Sequence, residues 1–203
     1  MASRGGRFIG EANGGDSDCF VGASPRPSPV WLDDAVGYRI DGEDRLLLDR
    51  NGQTVARLFP GAHPTAGPNH AASYASPPVV TSRMRASFDE PAPVPAGLQP
   101  ASAEQLMMRW LPTGPKRGND KAYLEFLRSG RWTASDGCNG QGGKYALGAD
   151  GELLTTSGAS TLIGCDGSPV GNWATEARRA ALDGEVLVLL DASGREIGRC
   201  KRA

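Results

Sequence analysis

The 203-residue chain has little of what marks the common classes of enzyme and binding protein. Lys and Arg (22) balance Asp and Glu (23), so no excess charge indicates a nucleic acid or a cationic partner. No apolar run approaches the ~20 residues of a membrane span. Residues 1–15 lack the apolar stretch of a signal peptide, so the chain as written is expected to stay in the cytoplasm.

Aromatic residues are also scarce, at 6% of the chain, whereas glycine (28) and proline (15) together exceed a fifth of it. Such frequent turn residues disfavour a helical bundle, because each would interrupt a helix. The near-zero net charge and the apolar clusters disfavour complete disorder. These properties predict an α+β, β-rich fold with short strands and few helices.

The composition changes along the chain and predicts four segments. Residues 1–30 are a loop-rich N-terminus, and residues 31–59 are patterned as a helix and a hairpin. Residues 60–100 form a Pro- and Ala-rich connection with one strand-like island, Val79 to Phe88. Residues 101–203 are the best patterned and are expected to form the main domain.

Local patterns predict individual elements within these segments. A helix is expected over Trp31 to Ile40, and a capping box of Ser102 and Gln105 predicts a second short helix. Apolar spacing favours a third helix over Val170 to Leu182. Short strands are expected in several places: 45–48, 54–59, 123–127, 131–133, 144–147, 152–156, 160–163, 186–190 and 196–200.

The two patterned ends of the chain resemble each other. Ile40 to Arg57 aligns without a gap with Leu182 to Arg199, and eight of the 18 positions are identical. The same offset places Trp31 on Trp173. Hairpins often share Asp and Gly, but the aligned tryptophan favours duplication over chance. The first copy is then a degenerate partial repeat.

A glycine cluster, Gly137 to Gly143, invites a phosphate-loop interpretation that its spacing does not support. A phosphate loop would need Gly where Cys138 stands and Ser or Thr where Tyr145 stands. A dinucleotide fingerprint also needs Gly at Tyr145. We therefore expect a loop between strands, with no cofactor.

No catalytic or metal-binding constellation is evident. The only histidines, His63 and His70, lie in the Pro-rich connection, and no Cys or His pair has ligand spacing, so neither a base for a cysteine nucleophile nor a metal site is expected. Two further sets of residues are interpreted as structural. Four carboxylates are expected in solvated turns rather than in an acid–base set: Asp136, Asp150, Glu152 and Asp166. Three tryptophans are expected to be core anchors rather than the lining of a ligand pocket: Trp31, Trp132 and Trp173.

The main domain resembles the META domain, the family of the heat-inducible protein HslJ. The resemblance covers about residues 103–203. It rests on Gly130-Arg131-Trp132, on the loop Gly137-Cys138-Asn139, on Ser160 to Cys165, and on the final helix and hairpin. The main domain is also similar to META proteins of actinobacteria. The helix departs from the family pattern, with Asn172-Trp173 where a Glu and a Phe are usual.

The resemblance implies a half-open barrel or curved antiparallel sheet with a packed helix. It also implies that Cys138 and Cys165, at the family's two cysteine positions, would pair in a structural disulfide if the protein is exported. Family members are often envelope proteins or lipoproteins, and the family implies no general enzymatic activity.

The leading hypothesis is a non-catalytic structural or binding module of the envelope or stress response, monomeric, with a protein or small-molecule partner that the sequence does not identify. One alternative is a small enzyme that uses Cys138 in the glycine-rich loop. Another is an inhibitor-like module that acts through the same loop.

Overall fold

A computed structural model describes residues 2–4, 6–10, 30–61, 76, 79–114, 121–161, 163–164 and 166–203. Within these ranges the protein is β-rich, with two antiparallel sheets and four short helices. No helix in the described part of the chain is long and apolar enough to cross a membrane.

The first sheet has five strands that are adjacent in chain order. They are β1 (Ala2–Arg4), β2 (Arg7–Ile9), β3 (Gly37–Asp41), β4 (Asp44–Leu48) and β5 (Thr54–Leu58), and helix α1 (Val30–Asp34) precedes β3. A small core holds them together. Phe8, Leu32, Ala35 and Leu47 are buried in it, with Trp31 packed against its edge.

The second sheet has nine strands, which run in the order β11-β10-β9-β8-β7-β14-β13-β12-β6. Their bounds are β6 (Gln99–Pro100), β7 (Arg109–Pro112), β8 (Tyr123–Phe126), β9 (Arg131–Ser135), β10 (Gly140–Leu147), β11 (Leu153–Thr155), β12 (Arg179–Asp183), β13 (Val186–Leu190) and β14 (Glu196–Arg202). The remaining helices are α2 (Ser82–Ala86), α3 (Ala103–Leu106) and α4 (Val170–Glu176).

The second sheet curves until its two ends meet. Glu152, just before β11, forms a bridge with Arg179 of β12. Leu153 N donates to Arg178 O (2.9 Å), and Ala180 N donates to Gly151 O (2.8 Å). This contact is a single bridge with flanking hydrogen bonds and not a continuous ladder, so the sheet is strongly curved without being a closed barrel.

The concave side of this sheet holds the main core. Trp110, Trp132, Leu106, Leu124 and Phe126 are all at most 1% exposed. The indole nitrogens of the two tryptophans donate to Leu106 O (3.0 Å) and Thr156 O (2.9 Å), so burying them leaves no unpaired polar group. Trp132 is a core anchor, as the sequence predicted, and Trp110 is another. Trp31 and Trp173 are only partly buried against their clusters.

The repeat seen in the sequence is also a repeat in structure. Adding 142 to the bounds of β3 and β4 gives the bounds of β12 and β13, and β5 maps onto the first five residues of β14. The irregularity in pairing falls between Leu47 and Leu48 in the first copy and between Leu189 and Leu190 in the second. Each copy is a short helix followed by a three-stranded meander. The match of register supports duplication.

The turns of the two copies match as well. Asp49 accepts hydrogen bonds from Asn51 N and Gln53 N, both at 2.8 Å. In the second copy Asp191 accepts from Ser193 N (2.9 Å) and Arg195 N (3.1 Å). Both turns place a glycine at positive φ, Gly52 at 77° and Gly194 at 81°, which explains why these identities are shared.

Several predicted elements are confirmed, including the strands of both hairpins. The predicted capping box of Ser102 and Gln105 begins α3. Gln105 N donates to Ser102 Oγ at 3.3 Å, and Ser102 N donates to Gln105 Oε1 at 2.9 Å.

Two predicted helices are too long. The helix expected over residues 31–40 ends at Asp34, and β3 follows it; the helix expected over residues 170–182 ends at Glu176, and β12 follows. In the second copy, the apolar residues of a short helix and of the buried strand that follows it give one helical periodicity. In the first copy β3 is half-buried to exposed, so burial does not explain the error there.

Three other predictions are wrong. The strand-like island 79–88 contains helix α2, Ser82–Ala86. The predicted loop 137–143 is strand from Gly140 onward. The described residues around 160–163 are not in a strand.

One buried arginine ties the connection to the second sheet. Arg179 is 4% exposed. It donates to Ala92 O (2.7 Å), Pro91 O (3.0 Å) and the Asp150 carboxylate (2.6 Å). All three nitrogens of the guanidinium group donate hydrogen bonds, which compensates the burial of its charge. These bonds fix residues 91–92 against β12.

Side chains of the first sheet also contact the second. Lys144 Nζ lies 2.7 Å from Asp33 Oδ1, and Arg50 Nη2 donates to Ser129 O at 3.0 Å. Arg7 forms an ion pair with Glu152, which is 8% exposed. The partial repeat is therefore joined to the main domain by polar contacts.

Candidate binding site

The loop that carries the Gly137-Cys138-Asn139 motif is organised by the carboxylate of Asp136. Oδ1 of Asp136 accepts from Cys138 N (2.7 Å) and Asn139 N (2.6 Å), and Oδ2 accepts from Asn139 Nδ2 (3.1 Å). Gly137 turns the chain with a φ of 106°, which a residue with a Cβ adopts only with strain. The motif residues are thus the turn that joins β9 to β10.

The same hydrogen bonds set the protonation state of Asp136. Burial acts to raise the pKa of the carboxyl, but the bonds donated by Asn139 and Cys138 outweigh it, so the pKa lies below its usual value. Asp136 is ionised at neutral pH and its oxygens are already engaged. It is a structural acceptor and is poorly placed to act as a general base.

Asn139 fixes the segment after β11 to this turn. Its Nδ2 donates to Ile163 O (2.8 Å), and its Oδ1 accepts from Ile163 N (2.6 Å). Gly140 adds two bonds to the same segment, because its N donates to Thr161 Oγ1 (3.2 Å) and its carbonyl accepts from Ser160 Oγ (3.1 Å). Hydrogen bonds from Asn139 and Gly140 thus fix the described residues of 160–163 to the turn, although these residues are not in a strand.

A cleft of about 240 Å³ lies beside this turn. It is bounded by the ends of β9 and β10, by residues 160–161 and by the start of α4. Its lining residues are Ala134, Asp136, Asn139, Gln141, Ser160, Thr161, Gly167, Pro169, Gly171 and Asn172. Apart from Asp136, the polar side chains in this lining are uncharged amides and hydroxyls.

Two glycines let the walls of the cleft approach each other. A Cβ on Gly171 would lie 2.1 Å from Oε1 of Gln141, and a Cβ on Gly167 would lie 2.5 Å from the carbonyl oxygen of Asp136. Ser168 N also donates to that carbonyl, at 3.1 Å. The close approach at Gly167 depends on glycine because the opposing atom is backbone, whereas at Gly171 the side chain of Gln141 would have to move aside.

The other three carboxylates of the predicted set do not line the cleft: Asp150, Glu152 and Asp166. Asp150 accepts from the buried Arg179, which lowers the pKa of its carboxyl, and Glu152 pairs with Arg7. In the described residues, no group of three or more His, Cys, Asp or Glu could hold a metal ion.

The described residues include two of the four cysteines, Cys138 and Cys200. Cys165, the predicted partner of Cys138, lies outside the described residues, as do Cys19, His63 and His70, so the pairing of Cys138 with Cys165 stays a prediction. Cys200 is a buried free thiol, and burial raises its pKa to about 12.

The sequence identified the Gly137-Cys138-Asn139 turn but missed most of the cleft. The glycine cluster predicts a loop at Gln141, which lies in β10, and Asn172 is a departure from the family's helix pattern. Both are isolated polar residues with no motif spacing. Only the folded arrangement of β10 and α4 brings them together with Asp136 and Asn139.

No protein-family model and no curated protein matches the chain. A solved structure to which it is similar is the NMR structure of a protein from Burkholderia xenovorans. The match covers 57% of this chain and 95% of that chain, at 20% sequence identity and a TM-score of 0.40.

Proposed function

We propose that residues 101–203 form a META-like, non-catalytic binding module, and that the cleft beside Asp136 is its ligand site. The observation that carries the proposal is the convergence of uncharged hydrogen-bonding side chains, from Asn139, Gln141, Ser160, Thr161 and Asn172, in one concave site. Pockets with a few placed polar groups are typical of ligand recognition.

The chemistry of the lining restricts the ligand class. Asn139, Gln141 and Ser160 already make hydrogen bonds within the protein. Amides and hydroxyls nevertheless offer both donors and acceptors, so the lining as a whole suits a neutral ligand that carries both kinds of group. At about 240 Å³ the cleft is smaller than the ~300–1,000 Å³ of drug-sized sites. A small neutral polar group, such as one sugar ring or one peptide unit of a partner, fits these properties.

The predicted bridge between Cys138 and Cys165 bears on the role and the compartment of the module. A cysteine nucleophile acts as a thiolate, which a disulfide-bonded sulfur does not provide, so this bridge would disfavour the enzyme alternative. Disulfides persist in oxidising compartments. The bridge would therefore agree with a role in the cell envelope, as does the resemblance to exported META proteins.

NMR titration of the full chain tests the proposed site. The probes are N-acetylglucosamine, glucose and diglycine, each raised to ~10 mM, which would reveal even weak binding. We expect one probe to shift the amide signals of Asn139, Gln141 and Asn172 in a saturable way. Asn172→Ala should weaken that binding, and Gln53→Ala, an exposed amide outside the cleft, should leave it unchanged.

Two results would overturn the proposal. One is the absence of saturable shifts at these residues with all three probes. The other is a shift pattern that Asn172→Ala leaves intact, since the probe would then occupy another surface.

A further inference from the structure

The two ends of the second sheet meet beside a tight turn. The turn joins β10 to β11 over residues 148–152. Residues 151–153 then bind residues 178–180, at the start of β12, through two hydrogen bonds and one bridge. We call this contact the seam. Leu153 and Ala180 lie in it and are fully buried, so an open seam would expose side chains of the main core.

Two arginines bind the turn, one from each sheet. Arg179 of β12 donates to the carbonyl of Asp150 (3.1 Å) and to its carboxylate (2.6 Å). Arg7 of β2 pairs with the carboxylate of Glu152. The turn is therefore attached to its own sheet by Arg179 and to the first sheet by Arg7.

Two glycines of the turn make room for its neighbours. A Cβ on Gly151 would lie 2.5 Å from Ala180 O, and the φ of Gly151 is 76°, so the approach of the turn to β12 requires glycine there. A Cβ on Gly148 would lie 2.6 Å from Nη2 of Arg7. Gly148→Ala would therefore displace the guanidinium group without changing Arg7 or Glu152 themselves.

The first sheet determines where the guanidinium group of Arg7 lies. The backbone of Arg7 is paired with Arg4 of β1 and Gly37 of β3, and the next residue, Phe8, is buried in the small core. Strand β2 also lies against β10, and β1 lies against β11. A movement of the first sheet away from the second would therefore withdraw Arg7 from Glu152.

The two arginines differ in how well their hydrogen-bonding groups are satisfied. All three guanidinium nitrogens of Arg179 donate hydrogen bonds. In contrast, Nε of Arg7 is buried and has no hydrogen-bond partner among the described residues. A buried donor without a partner costs free energy, so Arg7 is the weaker of the two attachments.

We propose that Arg7 is a latch through which docking of the first sheet keeps the seam of the second sheet closed. While Arg7 binds Glu152, the turn 148–152 is held against β12. When the first sheet moves away, the buried carboxylate of Glu152 loses this cation, and residues 151–153 separate from β12 before the rest of the sheet opens. The latch does not involve the lining of the cleft beside Asp136 and does not depend on a ligand there.

Amide hydrogen exchange of the full chain, followed by NMR under native conditions, tests the latch. The seam amides are those of Leu153 and Ala180, which donate the two hydrogen bonds of the seam. They should exchange faster than the amide of Leu189, in the middle of β13, because the seam opens before the sheet does. Arg7→Ala should speed exchange of the seam amides about tenfold, as expected for the loss of a hydrogen bond between charged groups.

Gly148→Ala is the second variant, because it displaces the guanidinium group and leaves Arg7 and Glu152 in place. It should speed exchange of the seam amides as well, and it should add little to Arg7→Ala, since the group that it displaces is then absent. Asp33→Asn is the matched control. It removes another ion pair between the sheets, with Lys144, and should leave the seam amides unchanged, because the Asp33 side chain is 63% exposed and such pairs contribute little.

Three results would overturn the proposal. The first is that Arg7→Ala and Gly148→Ala both leave exchange of the seam amides unchanged, since the seam would then close without the latch. The second is that the seam amides exchange no faster than Leu189 in any form of the chain, since the seam would then open only on global unfolding. The third is an equal effect of Asp33→Asn, since any contact between the sheets would then act as Arg7 does.

Discussion

The indole of Trp173 lies directly against Gly198. A Cβ at residue 198 would be 2.4 Å from the Cδ2 atom of the ring. The contact joins α4 to β14, and in the first copy Trp31 and Ala56, at the equivalent positions, pack against the same small core. In the second copy the helix is thus placed on its meander through this close contact, and in the first copy the equivalent residues belong to one small core.

Gly198→Ala should therefore destabilise the protein. The added methyl group forces Trp173 and α4 to move, and overpacking of this kind costs about 1–3 kcal/mol. The measurement is the free energy of unfolding in urea. Gly140→Ala is the matched control, because a Cβ there would meet nothing within 4 Å. Equal stability of both variants would show that α4 adjusts freely.

The carboxylate of Asp136 predicts a pH dependence of stability. Its pKa is lowered in the folded state by the hydrogen bonds from Asn139 and Cys138, against the opposing effect of burial. A lowered folded pKa stabilises the protein above the unfolded value of ~3.9, and this stabilisation is lost as the pH falls through the folded pKa.

Asp136→Asn should accordingly be less stable than the natural chain at pH 6, and the difference should shrink towards pH 3. Urea unfolding across this range measures it. Asp89→Asn, at an exposed carboxyl, should show no such convergence. A difference in the free energy of unfolding that is constant with pH would mean that Asp136→Asn acts by disturbing the geometry of the turn and not by removing the charge.

The cysteines predict a simple pattern of thiol reactivity. Under oxidising conditions Cys138→Ser should lower the melting temperature, because a bridge to Cys165 would close a loop that contributes ~3 kcal/mol by the chain-entropy model. The same substitution should have little effect in a reducing buffer. An unchanged temperature with free thiols at residues 138 and 165 would refute the pairing.

Cys200 serves as the internal reference in the same samples. Burial raises the pKa of its thiol to about 12, so little thiolate forms at pH 8. It should resist iodoacetamide in the folded protein and react fully after unfolding, as mass spectrometry of the peptides would show. Rapid alkylation of Cys200 in the native protein would mean that β14 opens locally.

Residues in turns and at a helix cap carried the most reliable information in the sequence. The turn identities Asp49, Gly52, Asp191 and Gly194 predicted both hairpins, because a turn depends on local backbone conformation. The capping box at Ser102 succeeded for the same reason. Local chemistry determined these elements without help from the rest of the chain.

The boundaries that failed depend on contacts between distant residues. Arg179 to Leu182 become a strand because β13 and residues 151–152 bind them, and nothing nearby in the sequence reveals those partners. The cleft was missed on the same grounds, since Gln141 and Asn172 are 31 positions apart. Periodicity alone did not separate a short helix from the buried strand that follows it.

Arg179 changes where the main domain can be cut. The sequence placed the boundary at residue 101, yet three partners of this guanidinium group lie at Pro91, Ala92 and Asp150. A fragment that begins at residue 101 would leave a cation in the protein interior with two of its acceptors removed. We therefore expect the smallest independently folding piece to begin no later than Pro91, so that the end of the proline-rich stretch belongs with the domain that follows it.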